Sequence, residues 1–456
     1  MSNIVEYNLK MRHSRKVWIN IMYLFKRKHK KRLRPIRLFG SMLMVLTILI
    51  PAPVNAASTA LPEIRGESGY LLDIQSGQEI YTKNANEKLE PASTTKIMTA
   101  LLAIEYGNLN DKVTITNTVI DSKLVYGTVI NLTPGETLTL DDLLYATLLD
   151  SANDAAVAIA EYIGGSVPQF VDMMNARAQQ IGATQTHFVN PTGLTDPQHT
   201  TTAHDLALIA RVAYQNPIFD QYIKTKEQWI TRSVQGQPTQ MINENKLLWR
   251  DPHVDGMKVG FTSQALNCFV ATSTVNGRSL VGVLLKSPVG TIWNDMSHLF
   301  EYGFTQTSNI LYKPSGASVG SIMVGSKSVN LNLTIPIYLT KTVDGQLPTV
   351  NLRVKPVSNK NDQAKESEEI STVEVWSGNN LLSTIPLSSS EETIPPTTPL
   401  TTKDINDDSK YLYVKWFVVL LLVIVALRIY SNLQIIKRNK LRRNRKSIGR
   451  SKASTT

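Results

Sequence analysis

An α+β fold, one antiparallel sheet with a block of helices inserted between its strands, is what this 456-residue chain predicts. Three features carry the prediction. Two strand-like runs stand early, at Gly69–Ile74 and Gln78–Thr82. Three more stand late, between Gly256 and Leu285. The stretch between them is mostly apolar with helical spacing. A small all-β domain and a C-terminal transmembrane helix are expected to follow.

Residues 1–37 are strongly charged, and Leu38 to Ile50 is a short apolar run. Small residues follow at Val54 and Ala56. This order resembles a secretory signal cut after Ala56. The run is too short to span a bilayer comfortably. An uncleaved signal anchor is the other reading, and Met11 or Met22 are further candidate starts.

The mature part opens with a β-hairpin turning at Ser76-Gly77. Pro91 to Glu105 is the central helix. Ile97, Met98, Ala100, Leu101, Leu102, Ala103 and Ile104 cover almost its whole circumference, so it belongs inside a domain. Ser93 and Lys96 share one face, a turn apart. An alcohol at the mouth of a buried helix with an amine beneath it suits a nucleophile and its base. Taken alone the pair reads first as a helix N-cap followed by a solvated lysine.

Val113 to Leu132 is extended and irregular. Leu140 to Leu149 is helical, entered through Thr139 with Asp142 three residues on, the spacing of a capping box. Leu149 to Asp154 breaks that pattern. Helices follow at Ala155–Ile163, stopped by Gly164-Gly165, at Pro168–Ile181 and at Ala203–Tyr214. Gly256–Thr262, Asn267–Val275 and Arg278–Leu285 are strands, the last two joined by Asn276-Gly277, a hairpin signal. Trp293–Tyr302 is the closing helix.

Residues 310–386 alternate with period two, as at Ser328–Ile335 and Thr372–Trp376, and hold no acid–base cluster. Ser388 to Asp408 is rich in Ser, Thr, Pro and acid, the composition of a disordered linker. Tyr411 to Leu427 is apolar except for Lys415, which can snorkel. The basic tail behind it predicts a cytoplasmic C-terminus.

The formal charge of +11 is concentrated at the ends. Residues 1–38 hold twelve Lys/Arg and one acid, and residues 437–456 hold nine Lys/Arg and none. The body between is acidic, 27 basic against 36 acidic residues. Basic ends beside apolar runs are topology signals and exclude a nucleic-acid footprint. The lone Cys268 excludes an intrachain disulfide and a cysteine zinc site. It lies in an apolar run and reads as a small buried hydrophobe. His187, His199, His204, His253 and His298 have no metal spacing and read as surface or core-edge residues. Asp154 reads as a helix cap. No metal and no cofactor is expected.

Ser93-x-x-Lys96, Ser151-x-Asn153 and Lys258-Val259-Gly260 are expected to meet at one end of the sheet. In this order, on a buried helix, in an interhelical break and on a strand before a hairpin, they resemble the motifs of the low-molecular-mass penicillin-binding proteins, the serine D-alanyl-D-alanine carboxypeptidases. The resemblance covers about residues 60–390. It extends to Pro91–Thr99, Phe188–Leu194, Thr201–Arg211 and Asn245–Leu248. It implies a penicillin-binding/β-lactamase-like transpeptidase fold. The expected segments are 1–56 (basic region and signal), 57–306 (peptidase domain) and 310–386 (all-β domain), then 387–410 (linker), 411–428 (membrane helix) and 429–456 (cytoplasmic tail).

The resemblance also implies an acyl transfer on peptidoglycan stem peptides, outside the cytoplasmic membrane. Ser93 is the implied nucleophile and Lys96 its base, made neutral by burial and by the charge of Lys258. Ser151 is the implied proton relay, and Asn153 the holder of the substrate amide. The backbone N–H groups of Ser93 and Phe261 are the implied oxyanion donors. A β-lactam would acylate Ser93 by the same route. Two departures stand out. Val259 occupies the position where the family usually has Thr, whose hydroxyl helps hold the substrate carboxylate. The segment Gly290–Asp295 lacks the Arg that the family tends to carry near the last helix. They imply an intact acylation machinery with a weakened grip on a terminal carboxylate. A catalytically weak protein that binds wall peptides or partners through its β domain is the alternative. A β-lactamase fits less well, because no Glu is placed to activate a deacylating water.

Overall fold

The structure, a computed structural model, describes residues 61–234, 238–324, 327–356 and 371–391. Strands β1 (Ser68–Asp73) and β2 (Glu79–Lys83) form the expected hairpin, with Gly77 at φ +74 in the turn. Helix α1 (Lys96–Tyr106) follows, and the short strands β3 (Lys112–Thr114) and β4 (Thr137–Thr139) pair with each other. Helix α2 (Leu140–Leu148) begins at a full capping box: the Thr139 side chain accepts from the Asp142 amide, and the Asp142 carboxylate accepts from the Thr139 amide.

Helices α3 (Asn153–Gly164), α4 (Val167–Ile181), α5 (Ala203–Tyr214) and α6 (Pro217–Lys224) complete the inserted block. Glycines in the left-handed conformation, Gly165 and Gly182, end α3 and α4. A small hairpin, β5 (Glu227–Ile230) and β6 (Thr239–Ile242), leads to the short helix α7 (Lys246–Arg250). The chain then returns to the main sheet through β7 (Val254–Thr262), β8 (Leu266–Val275) and β9 (Arg278–Ser287). Asn276 (φ +52) and Gly277 (φ +79) make the tight turn between the last two.

The sheet has the order β2-β1-β9-β8-β7 and is antiparallel at every step. Early and late strands meet at β1–β9, so the chain between them is an insertion. Helix α5 packs on one face of the sheet, and α8 (Ile292–Gln306) packs on the other. Helix α1 lies in the larger core. Ile97, Met98, Leu101 and Leu102 are each at most 1% exposed, and burial of each contributes about 1.5–3 kcal/mol.

Strands β10 (Thr307–Lys313), β11 (Ser318–Val324), β12 (Lys327–Leu333), β13 (Ile337–Thr342), β14 (Val350–Pro356), β15 (Ser371–Ser377) and β16 (Asn380–Glu391) follow. Strand β10 pairs with β13, and the others form a sheet of order β11-β12-β16-β15-β14 around its own apolar core. Strand β16 runs to Glu391 and pairs with β12, so ladder structure continues past 387, where the sequence predicts a linker. Its backbone groups are satisfied by β12, which overrides the local Ser-rich composition.

Several bonds tie these strands to the first domain. Ser76 Oγ lies 2.7 Å from Thr340 Oγ1, and the Thr340 amide donates to Gln78 Oε1 at 2.7 Å. Arg211 donates to the carbonyls of Ile74 (2.8 Å) and Leu382 (2.5 Å). Among the described residues no helix is long and apolar enough to cross a membrane. The expected signal at 1–56 and the expected span at 411–428 lie outside the described residues.

Candidate active site

Ser93 stands at the foot of α1, but not inside it. A 3-10 turn, Ala92–Thr95, precedes the helix, and α1 itself starts at Lys96. Pro91 cannot continue a helix backward, and Ala92 sits at φ +50, which turns the chain sharply. Ser93 is partly exposed, and Lys96 has no exposed surface.

Lys96 Nζ lies 3.0 Å from Ser93 Oγ, 2.6 Å from Asn153 Oδ1 and 2.8 Å from the Thr192 carbonyl oxygen. A neutral amine has two N–H donors and one lone pair. Donation to Asn153 and Thr192 leaves the lone pair for the Ser93 hydroxyl proton. Burial pushes the Lys96 amine well below its ordinary range, and the Lys258 charge pushes it the same way. Glu244 and Asp154 oppose the shift.

The Thr192 carbonyl is placed by the segment Phe188–Leu194. Asn190 Oδ1 accepts from the amides of Thr192 (3.1 Å), Gly193 (2.8 Å) and Leu194 (3.2 Å), which winds the loop around one side chain. Gly193 (φ +81) presses on the turn below Ser93; a β-carbon there would stand 1.8 Å from the Ala92 carbonyl oxygen.

His199 corrects the sequence expectation, being 1% exposed and not a surface or core-edge residue. Its Nδ1 accepts from the Val189 amide at 3.0 Å, and its Nε2 lies 2.9 Å from Thr95 Oγ1. These partners assign the neutral tautomer with the proton on Nε2. Burial lowers its pKa to about 4. The residue joins the 3-10 turn to the loop that carries Thr192.

Asn153 is the first residue of α3, and its Nδ2 donates to the Tyr126 carbonyl at 2.5 Å. Ser151 is buried two residues earlier, in the bend between α2 and α3, at φ +63. A non-glycine residue in that region is held by its surroundings, and such strain gathers at functional sites. The Asp154 carboxylate accepts from the amides of Ile130 (3.2 Å), Leu132 (2.9 Å) and Ala155 (3.0 Å). It therefore pins the 130–132 loop as well as the first turn of α3.

Strand β7 is one of the two edge strands of the sheet. Its period-two alternation puts Lys258 and Gly260 on one face and Val259 on the other. A β-carbon at Gly260 would stand 2.6 Å from the Ser93 amide nitrogen, so this face meets the 3-10 turn. Val259 packs on the cluster that includes Phe269 and Trp293. Phe261 follows at the open end of the strand with its residue 58% exposed. Lys258 has 1% of its side chain exposed and donates to Glu244 Oε2 at 3.0 Å.

Bonds and contacts thus bring Ser93, Lys96, Asn153 and Gly260 together, with the charge of Lys258 acting on Lys96. Sequence reasoning missed Glu244, and the Thr192 and Tyr126 carbonyls. Backbone carbonyls carry no residue signature. Glu244 stands directly before Asn245–Leu248, but no local pattern marks its pairing with Lys258.

The profile of the D-alanyl-D-alanine carboxypeptidase family matches residues 55–288. The chain belongs to this family of peptidases. Family members similar to it include D-alanyl-D-alanine carboxypeptidase DacF of Bacillus subtilis, 29% identical over 372 residues, which cover 79% of this chain and 94% of that protein. D-alanyl-D-alanine carboxypeptidase DacB2 of Mycobacterium tuberculosis is 35% identical over 273 residues, 59% of this chain and 89% of that one. Among solved structures, penicillin binding protein 5 from Haemophilus influenzae is 28% identical with a TM-score of 0.57, covering 73% of this chain and 98% of that one. The family's penicillin-binding, transpeptidase-like α+β fold is therefore the fold of this chain.

Proposed function

We propose that this serine peptidase removes the terminal D-alanine from peptidoglycan stem peptides through an acyl-enzyme on Ser93. One observation carries the reading: a buried amine, Lys96 Nζ, lies 3.0 Å from the Ser93 hydroxyl with two other acceptors at its back. The Ser93 proton passes to Lys96 as Oγ attacks the penultimate D-alanine carbonyl. The Ser93 and Phe261 amides receive the developing oxyanion, and each such donor is worth about 10²–10³ in rate. Ser151 relays a proton to the leaving nitrogen, the C–N bond breaks, and D-alanine departs. Water, deprotonated by Lys96, then attacks the ester and restores the Ser93 hydroxyl. Asn153 exchanges its bond to the Tyr126 carbonyl for one to the substrate amide. A β-lactam enters the first half of this route and stops at the ester.

The test is labelling of Ser93 by fluorescent penicillin together with release of D-alanine from a pentapeptide. Both are expected in the full chain, and Ser93→Ala is expected to abolish both. Neither signal in the intact protein would sink the proposal. Labelling without release would favour the second reading, a weak penicillin-binding protein, which Val259 and the Lys258–Glu244 pair both favour.

We also propose single-pass anchoring by residues 411–428, with the peptidase domain outside the cytoplasmic membrane and the basic tail inside. The support is sequence alone: an apolar 17-residue run from Tyr411 to Leu427 and nine Lys/Arg behind it. Extraction from membranes by detergent but not by salt is the expected behaviour, and release by salt would oppose it.

A further inference from the structure

Lys258 is the cation that strand β7 offers to the cleft, and it is already engaged. Its ammonium donates to Glu244 at 3.0 Å, while the Glu244 side chain itself is 43% exposed. Glu244 enters from outside the sheet, one residue before Asn245. The Asn245 side chain donates to the Gly256 carbonyl at 2.9 Å and accepts from the Leu247 amide at 3.0 Å. Glu244 is thereby held between a strand it faces and a helix it precedes, a fixed position and not a wandering surface charge.

A substrate strand placed along the free edge of β7 sets its scissile carbonyl at Ser93. The carboxylate of a terminal residue then lies only two bonds beyond the scissile nitrogen, on the β7 side. There it meets an ammonium that a carboxylate already holds. It must share Lys258 with Glu244 or displace it, and a like charge at that distance opposes both. Val259 supplies no hydroxyl to compensate, and the segment Gly290–Asp295 supplies no guanidinium.

We propose that Glu244 is a specificity-determining residue that steers this enzyme toward leaving amines without a free carboxylate, amidated or otherwise neutral. The proposal rests on the acyl-transfer reading above and names the substrate class of that same site. Chemistry at Ser93 is unchanged: the same C–N bond breaks and the same amine takes the proton. What changes is which leaving group is admitted.

The test compares two peptides that differ only at the terminus, one ending in D-Ala-D-Ala and one in D-Ala-D-alaninamide, with the full-length protein and its Glu244→Gln variant. Glu244 also acts on Lys96, but that effect reaches both peptides alike and cancels in their ratio. Wild type is expected to turn over the amide with a kcat/KM about tenfold above the acid, and Glu244→Gln to lower that preference about tenfold. An amide-to-acid ratio that is the same in both proteins overturns the proposal. Acylation rates by a penicillin and by its methyl ester give the same comparison without needing turnover, and Glu244→Gln is expected to favour the acid. If wild type is acylated by neither penicillin nor ester, the acyl-transfer reading fails and takes this proposal with it. If it is acylated normally but the ratios do not move, the proposal fails alone.

Discussion

Gly260 lies so close beneath Ser93 that a β-carbon on it would stand 2.6 Å from the Ser93 amide nitrogen and 3.1 Å from that of Thr94. Both neighbours are backbone, so neither can swing aside. Gly260→Ala must push the edge strand away from the 3-10 turn. A shift of about 1 Å at such a site can cost about 10²-fold in rate. The expected result is a drop of about that size in penicillin acylation with about 1–3 kcal/mol of lost stability. Unchanged acylation would show that β7 does not help to position Ser93.

Lys258 holds down the proton affinity of Lys96, and Glu244 raises it. Lys258→Met removes the first influence and leaves the second. Lys96 then stays protonated to higher pH, so the acid limb of the acylation profile moves up. At neutral pH acylation should fall about 10²-fold. Glu244→Gln has the opposite sign and should move the acid limb down. Measurement of acylation rate against pH in the two variants decides the matter. Limbs that shift in the same direction would contradict the charge assignment.

Much of this site could be read before any coordinates. Ser93 and Lys96 announced themselves by helical spacing, and Thr139 with Asp142 by capping chemistry, because both are local rules. Helix α6 was missed, although Asn216 caps it and Pro217 opens it, because its run is short. Glu244 and His199 were not legible. Each matters through a partner in another element, Glu244 with Lys258 and His199 with Thr95. Periodicity encodes burial and not partnership. The 3-10 turn at Ser93 was hidden for another reason: its residues suit an α-helix, and packing by Gly193 and Gly260 sets the tighter turn.

Val259→Thr adds a hydroxyl on a strand that leads to the cleft. A hydrogen bond to a charged group contributes about 1.5–3 kcal/mol, so turnover of a peptide with a free terminal carboxylate should rise about ten- to a hundredfold. D-alanine release from a pentapeptide measures it. An equal or lower rate would mean that the residue at 259 does not reach the substrate, in keeping with its packing near Phe269 and Trp293.

His199 predicts a pH dependence of stability. The native state keeps the imidazole neutral down to about 4, whereas the unfolded chain takes up its proton near 6.5. The folded state is thus fully favoured above pH 6.5 and loses this contribution as pH falls from 6.5 to about 4. The whole window corresponds to about 3 kcal/mol. Protonation would also break the Val189 amide bond to Nδ1 and loosen the loop under Lys96. Urea unfolding of wild type and His199→Gln at several pH values tests this. Identical slopes in the two proteins would refute it.

Arg211 spans from α5 to two carbonyls, one in each folded block: Ile74 beside the first sheet and Leu382 in the second. Its guanidinium is partly buried between the two blocks, and desolvation lowers its pKa to about 10. Anyone who trims this chain to its front half for convenience leaves that cation facing an absent acceptor, at the root of a helix packed on the main sheet. The shortened piece would be a poor stand-in for the whole molecule, and a sluggish fragment would say little about the intact enzyme.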